Sequence, residues 1–529
     1  MYGKEFVADS LPVSLFLGIL SLFCLYWYST QNFDYWKKRG IPQAGPAVPF
    51  VGTLYPLLWK PSHEVDLERY QKLGPVYGQY DGNTPVLAVS DSKLLREILV
   101  KEFPTFMNRR MAEFVHGDAM GNSFLFTLCG EEWKRMRNII TPTFSTGKIK
   151  KMINYIKQCN STMIENLKKV SKNGKPLQVK QFSNAFSMDV IASAAFSVYL
   201  DSYNDPNNTF IQSAVKAFSP YFNYKLAFYQ MWPKLAKWIG VQVIYTKPLY
   251  FFKKSALYIM KQRKKTGHTR SDFLQFLMGT VKDFADEKEE DVGNDTTSHD
   301  VQDKSRNQIY KSLTLDEAVS QCVQFFIAGF DTVSSTISNA AYLLALHPDI
   351  QNRAFETVRD VLQETEGEVT YEALQDMNYL DNVVSETLRL YPSFSRLERV
   401  TEAEFKLGNT GVVLPKGTAL IIPVYAIHRD PKLYLDPDKF DPDRFLPEER
   451  TKRDLYAYMP FGSGPRGCIG RRFGLMQVKT CLIYILANFT IHRCPETKVP
   501  LEFRLGPGPL AVKPQTLRFE ERTDKISLK

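Results

Sequence analysis

The sequence predicts a mainly α-helical protein with small β-sheets, preceded by one N-terminal transmembrane helix. Three observations lead to this fold class. Residues 10–33 form an apolar stretch without a charged side chain. Residues 76–91 read as two short strands around the turn sequence Asp81-Gly82-Asn83. From there onward, most of the chain has the apolar spacing of helices, and no internal repeat is present.

The charge of the chain allows several kinds of partner. Its 67 Lys and Arg residues exceed its 57 Asp and Glu residues, which gives a formal net charge of +10 at pH 7. Such an excess attracts nucleic acid, an anionic membrane or an acidic protein. The basic residues are spread along the chain without a nucleic-acid-binding motif, so nucleic acid is not a predicted partner.

The cysteines exclude two classes of small stabilised fold. There are seven of them, an odd number, and no two have C-x-x-C spacing. This pattern argues against a disulfide framework and against a zinc site, and it fits a protein in a reducing compartment.

The apolar stretch 10–33 predicts a retained membrane anchor. At about 1.5 Å per residue it is long enough to cross a bilayer core of roughly 30 Å. Aromatic residues at 26–28 suit the membrane interface, and three basic residues at 37–39 follow them. The positive-inside rule then places residues 1–9 in the lumen and the rest of the protein in the cytosol. A cleaved signal peptide fits less well, because the apolar run is too long and no cleavage site follows.

The remaining chain divides into a linker and one large domain. Residues 34–52 are rich in proline, which predicts an extended spacer that fixes the position of the globular domain relative to the membrane. Residues 53–529 form the predicted globular domain. Within it, residues 281–308 are acidic and nearly free of apolar side chains, which predicts a mobile surface loop.

The longest predicted helix begins with a capping box formed by Thr314 and Glu317 and extends to about Leu346. Its middle reads IAGFDTVSS, in which Gly329 and Asp331 are poor helix formers for a buried position. Two interpretations stay open at this point. One is a kink with a satisfied polar pair, and the other is a groove where a small molecule approaches beside a proton path.

A glycine-rich stretch at 460–474, PFGSGPRGCIGRRFG, contains a single cysteine, Cys468. Residues 462–467 match G-x-G-x-x-G, the pattern of dinucleotide-binding loops. That pattern requires a preceding buried strand and a helix directly after it, whereas here Pro465 lies inside the loop. Dinucleotide binding is therefore not favoured.

A thiolate ligand explains the same stretch better. A helix is predicted from Arg471 to about Asn488, and its free N–H groups and positive dipole end stabilise a thiolate. The glycines let the backbone approach a flat ligand, and Arg466 can meet a carboxylate. A thiolate beside a flat dianionic ligand describes haem bound through a proximal cysteine, here Cys468.

Two further features lie on the predicted helix at about 378–390 and in the strand and turn predicted at 413–431. Glu386 and Arg389 are three residues apart and share one helix face, which alone is a common surface ion pair. His428 is a candidate ligand, but its place in a turn beside Arg-Asp-Pro favours a structural role.

Together these motifs resemble the signatures of cytochromes P-450, in the order in which that family has them. The resemblance spans roughly residues 40 to 520. The sequences around these motifs resemble those of the animal clan of liver drug and steroid oxidases and its invertebrate relatives. The matching motifs are F-x-x-G-x-R-x-C-x-G at 461–470, A-G-x-D-T at 328–332, E-x-x-R at 386–389, PDRF at 442–445 and W-x-x-x-R at 133–137.

The resemblance implies a haem b cofactor and a set of roles. Cys468 would be the axial iron ligand and Phe461 would shield its sulfur. Asp331 and Thr332 would relay protons, while Ala328 and Gly329 would border the groove for dioxygen. The residues implied to hold the haem propionates are Arg109, Trp133, Arg137, Arg399 and Arg466. A structural network is implied for Glu386, Arg389 and Arg444.

The resemblance also implies partners. No flavin or nicotinamide site appears in the chain, so electrons would come from NADPH-cytochrome P-450 reductase in the endoplasmic reticulum membrane, with cytochrome b5 as an additional partner. Basic residues for docking the reductase are Lys134, Arg135, Arg471, Arg472 and Lys479. A solvated charged face is the alternative interpretation of this set.

By analogy, the substrate pocket would draw on the loop after Arg110 and on residues 325–328, 394–397 and 506–510. The aromatic segment 218–232 either dips toward the membrane or packs in the core.

The predicted function is a monooxygenase that inserts one oxygen atom into a lipophilic small molecule. Xenobiotics, steroids and fatty acids all remain candidate substrates. A haem protein that binds ligands without turnover is the alternative from another class, and a peroxide-rearranging or dehydrating enzyme is a third. The intact Asp331-Thr332 pair favours the monooxygenase.

Overall fold

The structure is a computed structural model that describes residues 3–111, 118–196, 198–205, 207–217, 222–243, 247–281 and 312–529. The acidic stretch predicted as a surface loop lies outside these residues, apart from Val281. Within them the protein is mainly α-helical with small sheets, as predicted.

The helices follow one another along the chain. They are α1 (Gly3–Thr30), α2 (Ser62–Leu73), α3 (Ser92–Arg96), α4 (Ala119–Asn122), α5 (Gly130–Ile140), α6 (Thr146–Lys150), α7 (Ile153–Val170), α8 (Val179–Phe196), α9 (Thr209–Ala217), α10 (Phe222–Met231), α11 (Pro233–Trp238), α12 (Leu249–Thr266), α13 (Phe273–Met278), α14 (Leu315–Leu346), α15 (Pro348–Glu364), α16 (Tyr371–Asp376), α17 (Asn378–Leu390), α18 (Val424–Ile427), α19 (Pro447–Thr451) and α20 (Arg471–Asn488).

The strands form three small sheets. They are β1 (Val76–Asp81), β2 (Thr84–Val89), β3 (Leu177–Gln178), β4 (Leu397–Val400), β5 (Phe405–Lys406), β6 (Val413–Leu414), β7 (Ala419–Ile422), β8 (Phe489–His492) and β9 (Thr516–Glu521). The sheet orders are β1-β2-β7-β4, β3-β9-β8 and β5-β6. The first pair is the hairpin expected at 76–91, with Asp81 opposite Thr84. Strands β2 and β7 are parallel, whereas β4 and β7 are antiparallel.

Helix α14 is the axis of the body. Its capping box is present, because the Glu317 amide donates to Thr314 Oγ1 at 3.2 Å and the Thr314 amide donates to Glu317 Oε2 at 2.9 Å. Its apolar residues are buried against α8, α12 and α20. An apolar helix buried on most sides belongs inside a protein, so its polar middle must be explained locally.

The predicted membrane anchor is the one helix, within the described part of the chain, that is long and apolar enough to cross a membrane. Its apolar window is Val13–Thr30, and almost all of it is exposed. The helix begins at Gly3 and ends at Thr30, where the predicted boundaries were 10 and 33. Two hydrogen bonds from side-chain amides fix its end to the β1–β2 turn: Asn83 Nδ2 donates to Tyr28 O at 3.1 Å, and Asn32 Nδ2 donates to Asn83 O at 3.0 Å.

The proline-rich segment predicted as a linker packs onto the first sheet. Trp36 is fully buried, and its indole N–H donates to Gln79 O at 3.2 Å. A Cβ at Gly78 would lie 2.1 Å from the Trp36 ring, so only glycine leaves room for this contact. The segment that follows α1 is therefore fixed to the body through a buried side chain.

Candidate active site

The loop that carries Cys468 is a tight backbone structure built on glycines. Gly462 and Gly464 both have a φ of +70°, a conformation that side chains disfavour. A Cβ at Gly464 would lie 2.0 Å from the carbonyl oxygen of Leu99. The Cys468 amide donates to Phe461 O at 2.9 Å and closes the loop. A short 3-10 helix, not a strand, precedes this loop, which explains physically why its G-x-G-x-x-G sequence is not a dinucleotide loop.

The Cys468 thiol lies in a cleft. Its side chain is solvent-accessible, yet the protein around it is dense enough that burial raises the pKa of the thiol. The Gly470 amide and the charges of Arg137 and Arg109 act in the opposite direction and favour the thiolate. Helix α20 begins directly after Gly470, as predicted, so its free amides surround the sulfur side of the loop.

Arg399, which was predicted to hold a propionate, is the most deeply buried of the four predicted arginines. It is 1% exposed, and its Nε has no hydrogen-bond partner. Its Nη1 donates to Glu398 O at 2.7 Å. Burial first, and then the charges of Arg109 and Arg466, hold the pKa of Arg399 well below its ordinary value. Three guanidinium groups thus repel one another in a poorly solvated place.

The cluster has no compensating carboxylate in contact. Among the described residues, no Asp or Glu lies within ion-pair distance of Arg109, Arg137, Arg399 or Arg466. Buried cations without such a partner are costly, and a bound anion relieves the cost. The donor set therefore fits a ligand that brings two carboxylates, as haem does.

Arg466 is used differently from its neighbours. Its guanidinium donates to the carbonyl oxygens of Met107 at 2.9 Å, Leu125 at 3.3 Å and Leu128 at 2.7 Å. It also lies 4.2 Å from the ring centroid of buried Trp133. Through these contacts Arg466 holds the cysteine loop against helix α5 and the residues before it. Contact of Arg466 with a propionate stays a prediction.

The middle of α14 has two distinct faces. Ala328 is exposed, and Thr332 Oγ1 donates to Ala328 O at 2.7 Å on the same face. Asp331 instead extends toward α8, where Lys180 Nζ lies 2.8 Å from its Oδ1. The sequence predicted Asp331 and Thr332 as one relay, and it gave no signal for Lys180. The two side chains leave the helix in directions about 100° apart.

Gly329 has a packing reason that the sequence did not indicate. A Cβ at this position would lie 2.8 Å from Ile191 Cδ1 and 3.2 Å from Ile191 Cγ1. The glycine therefore allows α8 and α14 to approach closely. Its predicted place beside bound dioxygen stays a prediction.

The E-x-x-R pair forms a fully buried network. Glu386 accepts from Arg389 at 2.6 and 2.8 Å, and Arg444 Nε lies 3.4 Å from Glu386 Oε1. Arg389 Nη1 also donates to His428 O at 2.7 Å. Glu386 and Arg389 therefore form a buried ion pair, not the surface ion pair that their spacing alone suggested.

His428 is structural, as the sequence analysis favoured. Its ring accepts from the Met459 amide at 3.0 Å, and its other ring nitrogen lies 3.0 Å from Arg389 O. Burial lowers the pKa of His428 to about 3, so the ring is neutral. Both ring nitrogens are occupied by the backbone, which leaves none for a metal.

The predicted basic face is only partly correct. Lys134, Arg471 and Arg472 are exposed. Arg135 pairs with Glu132 and Glu317 and is mostly covered. Lys479 is wrong as a docking residue: it is 3% exposed and pairs with Asp381 at 2.9 Å. The sequence did offer a signal for this burial, because the residues three and four positions away on the helix are apolar: Leu475, Met476, Leu482 and Ile483.

The predicted pocket segments are only partly brought together. The Leu510 amide donates to Ser393 O at 3.1 Å, so segments 394–397 and 506–510 are adjacent. Phe325 and Phe326 are buried in aromatic clusters, with the Phe326 ring centroid 4.5 Å from that of Phe252, and their place in a substrate pocket stays a prediction. Residues 112–117 and 218–221 lie outside the described part of the chain.

Comparison with known proteins gives one consistent result. The sequence model of the family Cytochrome P450 matches residues 42–519. The chain is similar to Cytochrome P450 3A7 of Homo sapiens, with 36% identity over 514 residues, which is 96% of each chain. It is also similar to Cytochrome P450 3A11 of Mus musculus, with 37% identity over 505 residues and 94% of each chain. The resemblance carried by the five motifs is therefore confirmed, and the chain belongs to the cytochrome P450 family.

Proposed function

We propose that this chain is a membrane-anchored oxidase of lipophilic small molecules in which the Cys468 thiolate would hold the haem iron. Membership of the family makes it a haem-thiolate monooxygenase supplied with electrons by a reductase. The observation that carries the assignment of the site is the buried arginine cluster around Arg399, which has no carboxylate in ion-pair contact among the described residues and lies near the accessible thiol of Cys468. When bound, haem supplies the activation of dioxygen.

The protein's residues hold the cofactor in this proposal. Arg399, Arg109 and Arg137 offer charge-assisted hydrogen bonds to the two propionates, which are stronger than neutral ones. Trp133 contributes its indole N–H, and Arg466 keeps the cysteine loop in place. The Gly470 amide lowers the pKa of Cys468, and Phe461, with the Arg471 guanidinium 5.5 Å from its ring centroid, limits water at the sulfur.

Proton delivery is assigned to α14. Thr332 lies on the exposed face with Ala328, where its hydroxyl can exchange its bond to Ala328 O for one to a ligand. Asp331 has a half-exposed side chain and connects that helix turn to solvent. A protein that only binds ligands has no need of this acid and hydroxyl pair, which is the reason to prefer turnover to passive binding.

Electrons would enter across the exposed basic residues Lys134, Arg471 and Arg472, which suit the acidic face of NADPH-cytochrome P-450 reductase. Arg471 and Arg472 begin α20, directly after the cysteine loop, so this face lies on the sulfur side. Cytochrome b5 is proposed to use the same face.

The membrane arrangement is proposed as a single pass through the endoplasmic reticulum, with residues 1–9 lumenal and the body cytosolic. Helix α1 provides the span. A group of exposed apolar side chains near its end would touch the lipid as well. These side chains are Phe50, Leu58, Trp59, Leu235, Trp238 and Ile239. Trp238, which is 83% exposed, is the largest apolar surface among them.

The substrate class is inferred from these surfaces and from the relatives. An exposed apolar rim beside the membrane suits lipophilic compounds that arrive from the bilayer. Drugs, steroids and fatty acids all have this character, and we propose a broad range of them.

The test uses membranes that contain the full chain, haem, a reductase and NADPH. A panel of steroids, fatty acids and drug-like compounds is analysed by mass spectrometry, with Cys468→Ser as the control. Several products that gain one oxygen atom, all absent with Cys468→Ser, are the expected result. Bound haem without any product would overturn the monooxygenase and support the binding protein. Products formed from peroxides without NADPH would support the third class.

A further inference from the structure

Gln324 is a buried polar side chain in the apolar part of α14. It lies between Val323 and Phe325, it is 5% exposed, and its Oε1 has no hydrogen-bond partner in the described part of the chain. Buried polar atoms are almost always hydrogen-bonded, and one without a partner makes the folded state less stable. The unpaired amide oxygen is therefore a cost that an apolar residue at this position would avoid.

The helix spacing places Gln324 in one row with residues of the cleft. Residues four positions apart lie on the same helix face, so Gln324, Ala328 and Thr332 form a row. Ala328 is exposed, and Thr332 Oγ1 donates to Ala328 O at 2.7 Å. One helix turn, about 5.4 Å, separates Gln324 from Ala328. The amide therefore lies beside the cleft that exposes Ala328.

Aromatic rings fill the neighbouring faces of the same helix turn. The ring centroid of Phe325 lies 4.9 Å from that of Phe144. The ring centroid of Phe326 lies 4.5 Å from that of Phe252. These contacts hold α14 in a fixed rotation, so the Gln324 side chain stays on the face turned to the cleft.

Gln321, three residues earlier, shows what a structural glutamine does in this helix. Its Nε2 donates to Ser123 O at 2.6 Å and fixes α14 to the segment after α4. Its own Oε1 is unpaired as well, but the side chain has a backbone partner. Within the described residues the Gln324 amide has no such bond, so the packing of the chain does not account for it.

We infer that Gln324 is a specificity-determining residue that selects, among lipophilic substrates, those with a hydroxyl group that donates a hydrogen bond to its Oε1. The inference rests on the proposed function, because it concerns the substrate of that site. Binding strips water from both the hydroxyl and the amide, and the bond between them offsets that loss. A substrate without the hydroxyl leaves the amide oxygen unpaired and binds less tightly.

A purely structural alternative is that an ordered water bonds the Gln324 amide and joins it to a neighbouring segment. The two possibilities predict opposite changes in stability. Loss of an amide that holds a structural water lowers the stability of the protein. Loss of an amide that is kept for a ligand raises the stability of the ligand-free protein, because an unpaired buried atom disappears.

The first experiment measures ligand binding by the haem-loaded full chain without reductase, from the change in haem absorption. The probes are androstane, androstanol and androstanone, which share one carbon skeleton and carry hydrogen, hydroxyl or keto oxygen at one position. The wild type is expected to bind androstanol more tightly than the other two. Gln324→Met, which keeps the length of the side chain but has no amide, is expected to reduce this preference about tenfold.

Gln477→Met is the matched control for the first experiment. Gln477 is a fully buried glutamine on α20, outside the row of Gln324, and its Oε1 is unpaired too. The same substitution there is expected to leave the preference for androstanol unchanged. A preference that falls equally in both variants would overturn the assignment to Gln324.

The second experiment measures urea unfolding of the haem-loaded protein without a ligand. The unfolding midpoint of Gln324→Met is expected to lie above that of the wild type, since the variant buries no unpaired amide oxygen. Gln321→Met is expected to unfold at lower urea than the wild type, because it loses the bond to Ser123 O. The opposite signs separate a binding amide from a structural one within one helix turn.

The outcomes separate the inference from the function that it deepens. If Gln324→Met and the wild type prefer androstanol equally, the inference is overturned and the proposed function stands. A lower unfolding midpoint of Gln324→Met overturns it in favour of the structural water. Tighter binding of androstanone, lost in Gln324→Met, would assign the contact to Nε2 and overturn the preference for a hydroxyl group. Bound steroids that give no product with reductase and NADPH would contradict the proposed monooxygenase, while the binding preference would still support the role of Gln324.

Discussion

Arg389 and Glu386 are joined by two parallel hydrogen bonds of 2.6 and 2.8 Å, and neither side chain has any exposed surface. Burial raises the pKa of the Glu386 carboxyl, and the bonds from Arg389 lower it again. The Asp441 amide adds a third bond to the carboxylate at 3.0 Å. The pair thereby fastens α17 to the loop that precedes the cysteine.

Removal of Arg389 is expected to unfold this region. Arg389→Leu removes the two hydrogen bonds that Arg389 donates to the buried Glu386 carboxylate, and loss of such a partner costs about 3–5 kcal/mol. The measurement is urea unfolding of the haem-loaded protein. Lys513→Leu breaks an exposed pair with Glu502 and serves as the control, with no measurable change expected. Equal stability of Arg389→Leu and the wild type would contradict the structural role.

Gly464→Ala tests the cysteine loop. The new methyl group would collide with the Leu99 carbonyl, and the backbone there already has a positive φ. Gly411→Ala is the matched control, since Gly411 has a φ of +74° but nothing within 4 Å. The strain alone costs about 1 kcal/mol, and overpacking adds roughly 1–3 kcal/mol for Gly464→Ala. Haem content and unfolding midpoints are measured for both variants. If Gly464→Ala and Gly411→Ala have the same values, the predicted collision is rejected.

Arg399→Gln is expected to have opposite effects on the two forms of the protein. Without haem it relieves the repulsion among Arg399, Arg109 and Arg466, so the apoprotein becomes at least as stable. With haem it removes a propionate contact, so the rate of haem transfer to an apo-globin acceptor rises about tenfold, equivalent to roughly 1.4 kcal/mol. Arg359→Gln, on the exposed side of α15, is the control. If Arg399→Gln loses haem faster and its apoprotein is also less stable than the wild type, misfolding explains the haem loss instead.

Asp189 is expected to make stability fall as pH rises. This carboxyl is buried on α8, and burial raises its pKa to about 7 from the ordinary value of 3.8. Between these values the folded state binds more protons than the unfolded state, so unfolding free energy falls from about pH 4 to about pH 7. One such group contributes up to roughly 4 kcal/mol.

The check is urea unfolding of the wild type and of Asp189→Asn at a series of pH values. Asn can still accept the hydrogen bond from the Ser202 amide, which is 3.2 Å long. The variant should lose this part of the pH dependence and be the more stable protein at pH 8. Asp360→Asn, at an exposed carboxylate, should retain the wild-type slope. Identical slopes for Asp189→Asn and the wild type would show that Asp189 is ionised throughout.

Local patterns predicted a large part of the fold and site. The capping box placed the start of α14, and the Asp81-Gly82-Asn83 turn placed the β1–β2 hairpin. The glycines around Cys468 predicted a tight loop, and the following helix starts where it was expected. These features depend on neighbours in sequence, so they can be read without the rest of the chain.

The relations that could not be predicted are those between distant segments. Lys180 and Asp331 are 151 residues apart, and no local pattern joins them. Lys479 looked like one more basic side chain until the packing of α20 against α17 buried it beside Asp381. A charge in a sequence does not say whether it meets water or a partner.

By itself, the sequence determined the chemistry: a cysteine in a glycine loop before a helix, an acid and hydroxyl in a buried helix, and an apolar span near the N-terminus. The tertiary structure decided how these groups are arranged. It left Arg399 without a carboxylate, turned Asp331 toward Lys180, and set Gly329 against Ile191. The physical reason is that residue type fixes what a group can do, while burial and distance, which fix its charge state and partners, arise only when remote segments pack together.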